Sequence, residues 1–369
     1  MTNIKIAIIG TRGIPAKYGG FETFAEEVSK RLVEKKIKTI VIGDRSNFFS
    51  EKNYKGVRVI NSQYSKPNNP LAFYYDSLKI AIREGSNFAI VCGVGGSLVL
   101  PFFKKKIIVS VNPDGLGFKR DKYVWWKKFI FFTQYLISSK TAKYIVCDSI
   151  GIKNYYSKYF NRLKNISVIE YGTNLNPFIL KKTKHNKYLF SKGIRANKYH
   201  LVVSRLEPEN NVKMIIQGYL FSKKKFPLII VGNTTTKYFK ELKKYKSNSV
   251  RFIGGIYDKN LLMNLRANCL TYLHGHSVGG TNPSLLEAMG SMNVCICHDN
   301  EYNREVIQDN GLFFSSASDV TNHVEYVENK QNSKQFNKLK VGVYERAKNY
   351  YSWDRITDEY LKLSIKSIL

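Results

Sequence analysis

The chain has 369 residues, 43% of them hydrophobic, which excludes a disordered or fibrous protein and exceeds what one hydrophobic core usually organises. Its 59 basic against 28 acidic residues give a net charge of +31, so an anionic partner is implied: nucleic acid, acidic lipid or a phosphorylated substrate. Of the basic residues 14 are arginine and 45 lysine, whereas base-reading surfaces favour the bidentate guanidinium, and most of the lysines read as solvated surface.

The opening residues, MTNIKIAIIGTRG, hold an apolar run too short for a secretion signal, and no run reaches the roughly 18 residues of a membrane span. A cytoplasmic protein is expected. The five cysteines, Cys92, Cys147, Cys269, Cys295 and Cys297, lie mostly in strand-like runs, which suits buried thiols in a reducing compartment. Cys295 and Cys297 point to one face of a strand and lack partners for zinc, so no metal site is expected.

In chain order, strand-like runs occur at Lys5–Gly10, Lys38–Gly43, Val57–Ile60, Phe88–Cys92, Ile107–Val111, Tyr144–Cys147 and Ile166–Glu170, with room for helices between them. Such alternation predicts a parallel sheet. The first helix begins after Gly19-Gly20, with Phe21, Phe24, Ala25, Val28 and Leu32 at helical spacing opposite Glu22, Glu26, Lys30 and Glu34. Those two glycines either meet a turn requirement or let the backbone approach a phosphate at the helix start, where Arg12 is near. GTRG at residues 10 to 13 lacks the third glycine of the dinucleotide fingerprint, which argues against a dehydrogenase.

Asp114 follows a strand and precedes Gly115, as an Asx-turn residue or as a carboxylate facing an acceptor hydroxyl. Residues 123 to 137, YVWWKKFIFFTQYLI, follow a Lys104–Lys106 triplet and read either as a core helix covering the sheet or as an aromatic and lysine surface for a membrane interface. From Asn174 to Lys198 the composition turns to Lys, Asn and Ser without a firm period, the mark of a link between domains.

A second alternating series follows, with strands at His200–Ser204, Leu228–Gly232, Val250–Gly254, Cys269–His274 and Val294–Cys297 and helices at Val212–Phe221, Leu261–Ala267 and Pro283–Met289. In open parallel sheets ligands bind beyond the carboxyl ends of the strands, which directs attention to 10–20, 112–117, 204–211, Gly254 and 274–282. Residues 274 to 290, HGHSVGGTNPSLLEAMG, join a strand end, a glycine loop and a capped helix. Asn282 is a good N-cap, Pro283 suits the first helical position, and the amides of Ser284, Leu285 and Leu286 are expected to face a phosphate. Glu287, a turn further on, can accept from a pair of ribose hydroxyls. His274 and His276 flank the loop, as structural residues or as sugar contacts. Residues 353 to 368 predict a closing amphipathic helix.

Three stretches, IAIIGTRGIPAKYGGFETFAEE at 6 to 27, VSRLEPENN at 203 to 211 and the 274 to 290 block, agree in order and spacing with one family, supported by VNPDGLGFKR at 111 to 120 and VCDS at 146 to 149. The chain resembles a GT-B glycosyltransferase of the family-4 kind, most closely the bacterial rhamnosyltransferases of capsule and cell-surface polysaccharide synthesis. The resemblance implies an α/β fold of two Rossmann-like domains whose parallel sheets face each other across a cleft. It places an acceptor-side domain at 1–175, a linker at 176–198, a donor domain at 199–350, and a C-terminal helix at 351–369 that packs back toward the first domain.

By this resemblance Arg205 matches the arginine that contacts the donor diphosphate, with a salt bridge to Glu207 or Glu209 as its alternative role. The family's usual lysine five positions later is Asn210 here, which removes one cation of the clamp but keeps the position as a donor contact. The wider family pairs two glutamates; this chain keeps Glu287 but has Gly279 at the partner position, as the rhamnosyltransferase-like subgroup does, a change that suits a deoxy-sugar donor. Backbone amides of Gly280 and Thr281 and the Asn282 side chain then become the sugar and phosphate contacts.

The expected activity is retaining transfer of L-rhamnose from dTDP-rhamnose to a lipid-linked saccharide, without metal or other cofactor. A possible anionic membrane surface joins the nucleotide-diphosphate sugar and the lipid-linked acceptor as partners; no nucleic acid is expected. The alternatives are the same reaction with UDP-glucose or UDP-galactose, and a basic binding protein that has lost its chemistry with Gly279 and Asn210.

Overall fold

The computed structural model describes residues 4–16, 19–47, 52–113, 115, 124–160, 165–176, 191–278 and 280–368. The chain forms two compact units, one of Met1–Gly172 with Trp353–Leu369 and one of Thr173–Ser352.

The first unit is built on an eight-stranded sheet of β1 (Lys5–Ile9), β2 (Lys38–Gly43), β3 (Asn53–Tyr54), β4 (Val57–Asn61), β5 (Phe88–Cys92), β6 (Ile108–Asn112), β7 (Tyr144–Cys147) and β8 (Ile166–Val168). Their spatial order is β3-β4-β2-β1-β5-β6-β7-β8, parallel throughout except for the antiparallel β3–β4 pair. Central strands such as β1 and β5 are buried on both faces, which is why they read as continuous Ile, Val and Ala runs rather than alternating ones.

Helices α1 (Gly20–Glu34), α2 (Pro70–Arg83), α3 (Trp125–Thr141) and α4 (Ile150–Tyr159) complete this unit with the C-terminal helix Trp353–Ile368. The apolar stripe of α1 buries Phe24, Val28 and Leu32, and the Phe24 ring meets those of Tyr360 and Trp353 from the C-terminal helix at centroid distances of 5.1 and 6.4 Å. Arg31 fastens the same pair of helices through Asp354, with Nε 2.9 Å from Oδ1.

Helix α3 differs from a core helix. Only Tyr135, Ser138 and Ser139 in its second half are buried, while Trp125, Trp126, Phe129, Ile130 and Phe132 in its first two turns are exposed. The core-helix alternative for residues 123 to 137 is therefore overturned over the described residues, because burial is confined to the C-terminal half of the helix.

The second unit carries a fully parallel six-stranded sheet: β9 (His200–Val203), β10 (Leu228–Val231), β11 (Val250–Phe252), β12 (Thr271–His274), β13 (Val294–His298) and β14 (Leu312–Phe314), in the order β11-β10-β9-β12-β13-β14. Around it lie α5 (Val212–Phe221), α6 (Phe239–Leu242), α7 (Lys259–Ala267), α8 (Pro283–Gly290), α9 (Glu301–Ile307), α10 (Ala317–Lys330) and α11 (Lys334–Tyr350). The core joins Val202, Leu228, Ile230, Leu273 and Ile296 of the strands to Ile215, Ile216 and Tyr219 of α5 and Val320, Val324 and Val327 of α10. Gly218 lets α5 and α10 close on one another: a Cβ there would run into the Ala317 carbonyl and the Val320 side chain. Each unit is thus an α/β layer structure on a parallel sheet, and the fold is GT-B.

Candidate active site

In the second unit the chain runs outward from β9 through β10 to β11, then returns to lay β12 on the other side of β9. The gap between the carboxyl ends of β9 and β12 is therefore a topological switch point, where loops diverge and leave room for a ligand. Arg205 leaves the end of β9 and is exposed. Among the described residues it forms no ion pair, so the alternative bridge to Glu207 or Glu209 is absent and the guanidinium faces solvent.

The two loops at this point are stitched together. The Asn210 amide donates to the Arg205 carbonyl at 2.7 Å and its side-chain oxygen lies 2.6 Å from Nδ1 of His276. Asn211 donates to the Gly275 carbonyl at 2.8 Å, and the Ser277 amide and hydroxyl both donate to the Glu209 carbonyl, at 3.0 and 2.9 Å. Gly275 is required here, because any Cβ would strike the Asn210 carbonyl. Asn210 is buried with two protein partners, which corrects its expected donor contact: the carboxamide holds the loops together.

At α8 the structure corrects one expectation. Asn282 caps the helix in extended conformation, its side chain accepting from the Ser284 amide at 2.9 Å. Its carbonyl accepts from the Leu285 and Leu286 amides at 3.0 and 3.2 Å. Pro283 has no N–H, so these three amides are already paired and do not await a phosphate. Of the preceding loop, Gly280 is partly exposed and Thr281 is buried.

What α8 does present is Glu287. Its Oε2 accepts from Nη2 of Arg266 at 2.7 Å; the arginine side chain is 4% exposed and the glutamate 43%. The same Nη2 donates to the Ser284 hydroxyl at 3.0 Å, and that hydroxyl donates to the Val203 carbonyl at 3.1 Å and lies 2.7 Å from the Tyr272 hydroxyl. A buried cation thus holds one oxygen of a half-exposed carboxylate and ties it, through Ser284, to the end of β9 two residues before Arg205. Arg266 was not foreseen; its only mark in the sequence is a charged residue next to the buried run Cys269–His274.

His274 is buried and stacks on Tyr272, with ring centroids 6.0 Å apart and an interplanar angle of 25°. Among the described residues its Nε2 has no hydrogen-bond partner. Burial pushes its imidazole well below the usual histidine value, with His276, His298 and Arg266 adding to the effect, so it stays neutral. The carbonyl of His276 accepts from Asn300 and Asn303 at 3.0 and 2.9 Å, two further loop anchors without a sequence signal.

In the first unit the switch point lies between β1 and β5. Gly10, at φ +88°, brings the chain against the Cys92 carbonyl, and Lys66 reaches in to donate to the Gly10 carbonyl. Arg12 is exposed. Gly19, at φ +102°, is the N-cap of α1 and Gly20 opens the helix. The group that needs the space beside Gly19 is Glu22, whose buried carboxylate accepts from the Arg12 amide at 3.0 Å. Glu26 accepts from the Ala16 amide at 2.7 Å. Carboxylates of the first turns therefore occupy the positive end of α1, which corrects the expectation of a phosphate beside Gly19 and Gly20. Asp114 lies outside the described residues. Among the described residues no group of three His, Cys, Asp or Glu side chains is placed to hold a metal ion.

Residues 185–346 match the family described as Glycosyl transferases group 1, and residues 3–174 match a domain of unknown function, DUF1972. No curated protein matches the chain. Among solved structures, a glycosyltransferase from Rickettsia africae is similar at 15% identity and a TM-score of 0.78, over 100% of this chain and 99% of that one. Sucrose-phosphate synthase from Thermosynechococcus elongatus is similar at 14% identity and a TM-score of 0.79, over 98% of each chain. Anabaena HepE, solved with UDP, is similar at 14% identity and a TM-score of 0.75, over 98% of this chain and 99% of that one. The group 1 domain and these neighbours of like fold support a GT-B glycosyltransferase.

Proposed function

We propose that the protein transfers a sugar from a nucleotide-diphosphate donor held by the second unit, with L-rhamnose from dTDP-rhamnose as the donor and a lipid-linked saccharide as the acceptor in surface polysaccharide synthesis. The observation that carries the reading is the placement at the β9–β12 switch point of Arg205, exposed and without an ion pair among the described residues, and of Glu287, a carboxylate clamped on one oxygen by buried Arg266 and tied through Ser284 to the end of β9. A departing diphosphate gathers negative charge, and a guanidinium set beside it acts where that charge develops. The second oxygen of Glu287 accepts from the ribose hydroxyls. Neutral His274, with an unpartnered Nε2, supplies a hydrogen bond to the sugar.

The nucleoside diphosphate leaves from the face attacked by the acceptor hydroxyl, and its departing oxygen takes up the hydroxyl proton, so the anomeric configuration is retained, and the reaction needs no metal. Gly279, which offers no carboxylate to the sugar, fits a deoxy sugar. A second reading, the same transfer from UDP-glucose, draws on Anabaena HepE, which has also been solved with UDP-glucose. Calorimetric titration with dTDP, UDP and GDP, followed by turnover with a panel of sugar nucleotides and a membrane extract, separates the two. Preference for UDP and a glucosylated product would replace the rhamnose assignment, and binding of none would end the sugar-transfer reading.

A further inference from the structure

The first two turns of α3 present an aromatic arc that the sugar-transfer reading does not use. At about 100° per residue, Phe132, Trp125, Phe129, Trp126 and Ile130 fall in that order around roughly 160° of the helix. Trp125 is 80% exposed and Phe129 64%. Lys127 and Lys128 lie on either side of the arc, and the Lys127 ammonium sits 5.2 Å over the Trp126 ring. The short helical turn Leu100–Phe103 packs beside α3; it adds Phe102, 69% exposed, and leads into exposed Lys104, Lys105 and Lys106. Residues 98–106 and 124–143 together contain seven lysines and no Asp or Glu.

From this we infer that the N-terminal half of α3 and the Phe102 turn form a docking surface for an anionic phospholipid bilayer. Aromatic side chains flanked by lysines match an interface in which rings sit at headgroup depth and ammonium groups snorkel to phosphates. Among the described residues no helix is long and apolar enough to cross a membrane, so the attachment is peripheral. Charge selects this occupant over a second copy of the chain, which would bring one lysine cluster against another. Nucleic acid shares the charge match, and its bases can stack on Trp125 and Phe129, but it offers no apolar medium to Ile130 at the edge of the arc. The inference stands independently of the sugar-transfer reading.

The test uses the full-length protein with vesicles of phosphatidylcholine alone and of an equimolar phosphatidylcholine–phosphatidylglycerol mixture, scored by co-sedimentation. Binding to the mixed vesicles only, weakened by added salt, is expected. Brominated acyl chains should quench Trp125 and Trp126 but spare Trp353, which is buried. The double variant W125S/F129S, with an unchanged circular dichroism spectrum, should lose about tenfold or more in vesicle partitioning. A separate K127Q/K128Q variant should lose on the order of tenfold by weakening the attraction to phosphatidylglycerol. Absence of binding to the mixed vesicles, or equal binding by both variants and the parent, would overturn the inference. So would concentration-dependent self-association or oligonucleotide capture that W125S/F129S abolishes while vesicle binding is unchanged.

Discussion

The side-chain oxygen of Asn210 lies 2.6 Å from Nδ1 of His276, joining the loop that leaves β9 to the loop that leaves β12. The position where the resembling family carries a lysine is therefore an interior tie in this chain. Restoring the family residue with Asn210→Lys is expected to place an ammonium between the Arg205 carbonyl and the His276 ring, without bringing a cation to the donor. Two hydrogen bonds are lost and a charge is buried, so unfolding free energy should fall by about 2 kcal/mol or more, with no gain in nucleotide affinity. Chemical denaturation and calorimetry check the two halves of this prediction; tighter nucleotide binding by the lysine variant would show that the side chain reaches the ligand.

Arg205 offers the opposite case, an exposed cation with no ion pair among the described residues. Replacement by Ala should leave stability within about 0.5 kcal/mol, as for other surface substitutions. Turnover should fall by roughly two to three orders of magnitude if the guanidinium neutralises the leaving diphosphate. Thermal unfolding alongside steady-state kinetics measures both, and undiminished turnover removes Arg205 from the mechanism.

Much of this arrangement was legible in the residues. The strand runs needed only Ile and Val continuity, and Gly275 through Glu287 announced a loop and capped helix because Asn282 and Pro283 act locally. Helix α2 was missed although Asn69 caps it and Pro70 opens it, since its buried face, Phe73, Tyr74, Ser77, Leu78 and Ala81, carries the polar Ser77 at its centre and so lacks a continuous apolar repeat. The short strands β3 and β14 are only two and three residues long and exist by pairing with a neighbour, which no local pattern records. Arg266, Asn300 and Asn303 escaped notice for a related reason. Their roles depend on hydrogen bonds to residues distant in sequence, and a buried arginine looks like any other until its partner is known. The Asn282 cap was legible and already implied one occupied amide; that its carbonyl takes those of both Leu285 and Leu286 shows only in the geometry.

The Arg266–Glu287 pair is lopsided, one member buried and the other half exposed, and the two substitutions should differ accordingly. Glu287→Ala leaves a buried guanidinium whose one remaining partner among the described residues is Ser284; solvent near the carboxylate moderates the loss to about 1–3 kcal/mol. Donor affinity should fall as well. In Arg266→Met the methionine fills the interior, and Glu287 remains but is no longer oriented, so the donor KM should rise while the fold is kept. Comparing KM and kcat for the two variants with their unfolding curves distinguishes contact from support, and unchanged KM in both would remove Glu287 from donor binding.

His274 makes the protein sensitive to mild acid. Because burial holds the folded imidazole well below its unfolded value of 6.5, the unfolded chain binds more protons in slightly acidic solution. The stabilisation is complete above about pH 6.5 and declines as pH falls toward the folded value, by up to about 1.4 kcal/mol per pH unit. His274→Gln does not titrate and should flatten the stability profile between about pH 6.5 and pH 5. Some slope should remain from His298, which burial also lowers. Denaturation across that range gives the answer, and parallel profiles for parent and variant would mean His274 is not held neutral.

A second buried pair governs stronger acid. Glu328 in α10 accepts from Nε2 of His200 at 3.0 Å and from the Lys225 and Phe226 amides at 2.7 and 3.1 Å, while Nδ1 of His200 lies 2.7 Å from the Thr271 hydroxyl. The network ties α10 to β9, β12 and the turn before β10. Burial by itself would raise the Glu328 carboxyl, but the hydrogen bonds from His200 and the two amides outweigh it and hold the group below its usual 4.5. A carboxyl depressed on folding contributes stability in full above about pH 4.5 and loses it as pH falls through the folded value. Glu328→Gln keeps an acceptor but cannot ionise. It should destabilise the protein by about 1–3 kcal/mol at neutral pH and by progressively less below about pH 4.5, as the parent carboxyl takes up its proton. Denaturant titrations of parent and variant at neutral and acid pH should therefore converge on the acid side. A gap that widens there would show that Glu328 is protonated in the native fold and that His200 is held by some other means.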